Sequence, residues 1–195
     1  MNRSRFAAAA VAACLALGAT SALAVREVGS AKFDETQAVA GQNLVLNGAG
    51  MRVKMIIKVY AVALYLPRKE ANAAAVLNQP GPKRIQLVMM RDVPADKLGE
   101  SLVEGINANT TPAERGVLQG RVDELEKAMV ALGEARKGSV IQLDYVPGTG
   151  TRITLAGKPV MRDVPGEDFF KALLKIWLGD KPADGDLRAR LLGAE

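Results

Sequence analysis

An arginine, a tyrosine and a lysine in one stretch carry the chemistry this sequence can offer. The stretch runs from Leu44 to Lys69, LVLNGAGMRVKMIIKVYAVALYLPRK. Arg52 stands between Met51 and Val53, just after Asn47-Gly48-Ala49-Gly50. A guanidinium reaching into a partly apolar space presents a planar fork of donors, suited to a carboxylate, phenolate or enolate oxygen. Tyr60 has the same parity as Arg52, so both point to one face of a strand, and its hydroxyl can supply a second hydrogen bond. Lys58 shares that parity and would add positive potential. In an unbroken strand the steps from Arg52 to Tyr60 span roughly 26 Å, so the two meet over one ligand only if the strand bends or reverses. The bland alternative is a structural arginine paired with an Asp or Glu. The residues alone leave both readings open.

Other chemistry is weaker. Asp92, Asp96, Glu100 and Glu104 could in principle work as paired carboxylates, but helix caps and helix surfaces account for them. Gly48-Ala49-Gly50 and Gly148-Thr149-Gly150 look like phosphate loops, yet neither completes a nucleotide-binding fingerprint or opens a helix. They read as turn glycines. Met51, Met55, Met89, Met90, Met129 and Met161 are scattered at core-like positions and read as core filling rather than a soft-metal site.

The elements that must position Arg52 and Tyr60 can be read from pattern. Met51, Val53, Met55, Ile57 and Val59 alternate with Arg52, Lys54 and Lys58, the mark of a half-buried strand. Beyond Val59 both faces turn apolar, as in a sheet covered on both sides. Two strands are expected, with a bend near Lys54 to Ile56 and an end at Pro67. Before them, Val25 to Gly41 suggests one short strand. After them come a short helix at Glu70 to Leu77 and a strand at Arg84 to Met90. A helix follows, capped by Asp92, with the stripe Leu98, Leu102 and Ile106. Thr111-Pro112-Ala113-Glu114 is a capping box opening the clearest helix, whose apolar face is Leu118, Val122, Leu125, Met129 and Leu132. Ser139 to Val146 and Thr151 to Leu155 form a hairpin, with a short strand expected at Val160-Met161. Asp163 to Leu178 is a strong helix with Phe169, Leu173 and Trp177 on one face, and Leu187 to Leu192 a helical tail. Strands and helices are segregated rather than alternating, which argues an α+β fold: an antiparallel sheet with helices on one face.

Composition sets limits. Arg3 and Arg5, the apolar run Phe6 to Leu17 and Ala22-Leu23-Ala24 have the form of a signal peptide cleaved after Ala24, so a periplasmic protein is expected. A lipoprotein signal ending at Cys14 is the alternative, with a very short apolar run before it. Residues 25–195 then make one domain, with no membrane segment after cleavage. The chain has no histidine, and its single cysteine, Cys14, leaves with the signal. Imidazole-based zinc sites, haem sites and Ser-His-Asp triads are thereby excluded, as are disulfides and thiol nucleophiles. Net charge is +5 before Arg3 and Arg5 are lost, with no basic block, so no nucleic-acid partner is expected.

Together these residues resemble a known family. Asn47-Gly48-Ala49-Gly50, Arg52, Lys54, Lys58-Val59-Tyr60 and Leu64-Tyr65-Leu66 are similar to the start of the chalcone isomerase superfamily. Tyr145-Val146-Pro147-Gly148-Thr149-Gly150-Thr151, Gly157-Lys158, Asp168-Phe169-Phe170 and Ile176-Trp177-Leu178-Gly179-Asp180-Lys181-Pro182 resemble its bacterial, exported chalcone isomerase-like branch. The resemblance covers the whole chain after Ala24. It implies an open-faced β-sandwich, a curved antiparallel sheet with helices packed on it and a ligand cleft between. In plant chalcone isomerases a cleft arginine stabilises the oxyanion formed during intramolecular Michael addition, and Arg52 matches it. The family's cleft threonine falls at Tyr60. Its catalytic tyrosine and asparagine align near Pro94 and Ser101, so both are lost here. Non-enzymatic relatives bind fatty acids, with the equivalent arginine and a tyrosine holding the carboxylate. Arg52 with Tyr60 fits that role. Some mitochondrial relatives hold haem through a histidine, which this chain lacks.

The expectation is therefore an exported chalcone isomerase-like domain that takes a small apolar acid or planar ligand, without a cofactor. Arg52, Tyr60 and Lys58 are the ligand-binding candidates, and Arg52 and Tyr60 the catalytic ones should there be turnover. The rival is an isomerase or intramolecular lyase in which Arg52 stabilises an enolate or phenolate. A third reading, a structural or partner-binding periplasmic protein, expects no cleft.

Overall fold

The computed structural model describes residues 25–194. The expected signal segment and its cleavage site after Ala24 lie outside the described residues. Three short strands come first, β1 (Val25–Val28), β2 (Ala31–Asp34) and β3 (Thr36–Val39), where the sequence pattern suggested one. The long pair β4 (Gln42–Lys54) and β5 (Ile57–Leu66) follows, then α1 (Ala73–Asn78), β6 (Lys83–Met89) and β7 (Val93–Pro94). Next are α2 (Ala95–Ala108), α3 (Pro112–Ala131), β8 (Glu134–Ala135), β9 (Val140–Val146) and β10 (Gly150–Leu155). The chain closes with β11 (Lys158–Pro159), α4 (Glu167–Leu178) and α5 (Gly185–Leu191). No helix among the described residues is long and apolar enough to cross a membrane.

Seven strands form one curled antiparallel sheet in the order β11-β10-β9-β6-β5-β4-β3. Its two faces carry two cores. On one, Val62, Leu64 and Leu66 of β5 pack with Leu98 of α2, Leu125 and Met129 of α3, and Phe169, Leu173 and Trp177 of α4. On the other, Ala61, Ala63 and Tyr65 pack with Leu44, Leu46 and Phe33, the last from β2. The β1–β2 ribbon thus covers the face that the helices leave open. Both parities of β5 are apolar because both of its faces are buried, as the pattern beyond Val59 implied.

Several local expectations hold. Thr111 Oγ1 accepts from the Glu114 backbone N–H, and Glu114 accepts from the Thr111 N–H, completing the capping box. Gly148 and Gly150, both at positive φ, make the turn between β9 and β10. Others shift. Asp92 is not the cap of α2: Val93–Pro94 is held extended against Glu134–Ala135, so the helix begins only after Pro94. The Asp92 carboxylate accepts instead from the Lys137 backbone N–H at 2.7 Å. Helix α4 begins at Glu167 rather than Asp163, because Pro165 and Gly166, the latter at φ 94°, interrupt it. The short strand expected at Val160-Met161 forms at Lys158–Pro159.

The largest revision concerns Asn47-Gly48-Ala49-Gly50. These residues are not a turn but the middle of β4. A Cβ on Gly48 would run into the backbone of Arg190 and Leu191, and one on Gly50 would lie 2.7 Å from Leu187 Cδ1. The bare backbone lets α5 lie directly on the strand. Asn47 fastens the contact: its Nδ2 donates to Leu191 O at 2.7 Å and to Glu70 O at 2.9 Å, and its Oδ1 accepts from the Glu70 N–H. Every hydrogen-bonding position of that buried amide but one acceptor lone pair is thereby used.

Candidate functional site

The turn at Met55-Ile56 reverses the chain between β4 and β5, and Arg52 becomes the direct register partner of Tyr60. The bend expected from sequence is thus a complete hairpin. Both side chains line a cavity of about 680 Å³ between the sheet and helices α2, α3 and α4. That volume lies within the range of small-molecule sites. Its inner wall is apolar: Leu87, Ile141 and Ile153 from the sheet, Leu98 and Leu102 from α2, and Met129 from α3. Lys54, Met55 and Ile57 from the hairpin tip also line it, as do Arg91, Lys97 and Lys181.

Lys58 is not brought to this cavity. The β4–β5 register slips by one residue between Arg52 and Val53, so that Val59 is the extra residue of a bulge and Lys58 pairs with Val53. A bulge breaks the period-two rule, and the face assigned by parity is reversed beyond it. Lys58 is exposed, and Val59 takes a place on the cavity wall.

Arg52 is half-buried and loosely held. Its Nη1 donates to Val53 O at 2.7 Å and to Asp184 Oδ2 at 3.4 Å. Its Nε and Nη2 have no hydrogen-bond partner among the described residues. Contrast Arg84, whose Nε and Nη2 both meet Asp144 at 2.7 Å while Nη1 donates to Gln37. Arg121–Asp168 and Arg152–Asp163 are bidentate as well. Those arginines are committed to the fold. Arg52 meets its aspartate at a single long contact, and most of its fork is available to a planar two-oxygen anion. Asp184 itself is fixed from the other side, because its Oδ1 caps α5 by accepting from the Leu187 N–H at 3.1 Å.

Tyr60 is oriented by Trp177, whose indole N–H donates to the phenol oxygen at 3.1 Å. With that oxygen accepting from the indole, the phenol proton is left to be given away. Burial pushes the Tyr60 pKa above the ordinary 10.0; the Trp177 hydrogen bond and the Arg52 charge pull it back in part, and Asp184 pushes it up again. The phenol is therefore a neutral donor at physiological pH. Arg52 and Tyr60 together present a cationic fork and an O–H on the wall of an apolar hollow, which is chemistry for an oxyanion attached to an apolar body.

Pro94 and Ser101 also line the cavity, at the positions where the resemblance would put a phenol and an amide. Pro94 has no side-chain donor, and Ser101 Oγ donates to Lys97 O of its own helix at 2.9 Å. Lys97 is engaged by Glu100. Sequence reasoning had placed Trp177 only on a packing face and did not single out Asp184, which lies far along the chain from Arg52. The one signal for Asp184 was its place ahead of the terminal helix.

Comparison with known proteins bears on both the family and the fold. The sequence model described as chalcone isomerase-like matches residues 25–193. Among solved structures, the crystal structure of a fatty-acid binding protein from Arabidopsis thaliana has a similar fold, with a TM-score of 0.64. The two share 16% sequence identity over 83% of this chain and 91% of that one. No curated protein matches the sequence.

Proposed function

We propose that this chain, which belongs to the chalcone isomerase-like family, binds a small apolar acid of the fatty-acid kind. The carboxylate is held by Arg52 and Tyr60, and the apolar body fills the cavity along Leu98, Leu102, Met129, Ile141 and Ile153. One observation carries the reading: donors without acceptors of their own, Nε and Nη2 of Arg52 and the Tyr60 O–H, stand side by side on the wall of an apolar hollow. A solved protein of similar fold is a fatty-acid binding protein, which supports the ligand class. A purely structural role leaves a cavity of this size without a purpose. An enolate-stabilising isomerase needs further donors over the carbonyl, and Pro94 and the self-bonded Ser101 offer none.

The same reading takes the protein as exported and processed after Ala24, supported by the arrangement of Arg3, Arg5, the apolar run and Ala22-Leu23-Ala24. N-terminal sequencing of the secreted protein tests it.

The ligand reading is tested with Arg52→Ala. Mass spectrometry of lipids that co-purify, and titration with a fluorescent fatty acid, should show binding to the parent protein. Loss of a charge-assisted contact of about 1.5–3 kcal/mol should weaken it by roughly ten- to a hundredfold. Equal binding by the variant, or none by the parent, overturns the proposal.

A further inference from the structure

The tip of the β4–β5 hairpin stands out into solvent. Met55 is 92% exposed and Ile56 93%, and Ile57 after them is 44% exposed. Two-residue hairpin turns ordinarily use Asn and Gly, which tolerate positive φ. Here Met55 takes φ 57° as a bulky residue, and the turn sends two large apolar side chains into solvent. Lys54 and Lys58 flank them, both exposed, and no ion pair engages either among the described residues. Lys54, Met55 and Ile57 also line the mouth of the cavity. Arg91, Lys97 and Lys181 lie around the same opening, against Asp92 and Glu104.

We propose that this tip is a membrane-docking element: Met55 and Ile56 insert into a bilayer surface rich in anionic phospholipid, and Lys54 and Lys58 bind its headgroups. An apolar wedge with cations set just behind it matches the layering of an interface, acyl boundary first and phosphate next. A second copy of the chain is a poorer occupant, because tip against tip brings lysines against lysines. The mouth of the cavity then opens at the bilayer surface, where an apolar acid would be collected or delivered. The docking itself does not depend on the ligand assigned above.

The test uses the purified protein and vesicles of phosphatidylglycerol and phosphatidylcholine in equal parts, with pure phosphatidylcholine as control. Flotation with the anionic vesicles only is expected. Ile56→Asp should reduce it by about tenfold or more, since a charge replaces the inserting side chain. Ile56 is exposed and does not line the cavity, so this variant should melt like the parent and keep its fatty-acid titration without vesicles. In Ile56→Trp the new indole should shift its emission to the blue on anionic vesicles, over the constant signal of the single native indole, Trp177, which is buried. Failure of the parent to float, equal flotation of Ile56→Asp, or no shift for Ile56→Trp overturns the proposal. So does a dimer in vesicle-free buffer that Ile56→Asp abolishes, which would give the tip to a second copy. Flotation without fatty-acid binding would sink the ligand reading and leave the docking in place.

Discussion

Arg52 and Tyr60 are direct partners across the β4–β5 hairpin, and Tyr60 in turn accepts the indole N–H of Trp177 from α4. One turn of chain therefore delivers both donors, and a buried helix fixes the angle of the second. Neither has to be assembled when a ligand arrives, which lowers the ordering cost of binding.

Tyr60→Phe removes the phenol donor and also the acceptor for Trp177. A hydrogen bond to a charged group is worth about 1.5–3 kcal/mol, so carboxylate affinity should fall roughly tenfold or more. The orphaned indole N–H should cost about 1–3 kcal/mol of stability in the unliganded protein. Because burial raises the phenol above 10.0, the Tyr60 contribution to binding should stay flat from neutral pH up to that value and fade only above it. Titration with a fatty acid at stepped pH, alongside denaturant unfolding, checks all three.

Asp184→Asn probes the competing anion. Asparagine caps a helix about as well as aspartate, so α5 should hold. The change removes the negative partner 3.4 Å from Arg52. A partly exposed ion pair is worth about 0.2–1 kcal/mol, so affinity for a carboxylate ligand should rise, by up to roughly fivefold. A fall would show that Asp184 organises the arginine rather than competing for it.

Gly48→Ala should loosen α5. The added methyl meets the backbone of Arg190 and Leu191, which cannot move aside as a flexible side chain would. Overpacking of this kind costs about 1–3 kcal/mol. For a chain of this size that corresponds to a Tm lower by roughly 3–10 °C in a thermal melt.

The capping box of α3 should register in acid. Glu114 has its pKa lowered from 4.5 to about 2, first by the hydrogen bond from the Thr111 backbone and then by Lys175. A carboxylate with a depressed folded-state pKa contributes stability that is present above its unfolded value. That contribution is lost as pH falls from about 4.5 through about 2. Exposure and salt screening keep it small. Thr111→Ala should cost about 1 kcal/mol near neutrality. It should also shift the Glu114 titration upward, as read by carboxyl-resolved NMR.

Much of the fold was legible because its signals are local. The two-sided apolar run after Val59 and the Thr111 box each report on neighbours a few residues away, whereas the alternation from Met51 to Val59 misleads, because the turn at Met55-Ile56 falls inside it and leaves Met55 in solvent rather than in the core. Arg52 and Tyr60 were legible as a pair from local signals too, given a reversal between them. What escaped depends on distant chain. The glycines at 48 and 50 read as a turn because nothing nearby says that α5 will lie on them. Lys58 was put on the wrong face because a one-residue bulge at Val59 leaves no mark in composition. Asp184 and the Trp177 indole come from the far end of the chain, and only tertiary packing brings them to Arg52 and Tyr60. Asp92 looked like a cap until the β7–β8 pairing, set by residues beyond α3, delayed the helix.

The sheet also ends in a particular way. At one margin stands β11, two residues long and finishing in Pro159, and at the other β3, only four residues long. Strands as greasy on both sides as β5 are the raw material of fibrils when another chain can zip onto a bare edge. Here they sit in the middle of the sheet, and β5 has both of its edges paired, to β4 and to β6. The protein should accordingly stay dispersed at concentrations where its most apolar segment, cut out as a peptide, would assemble.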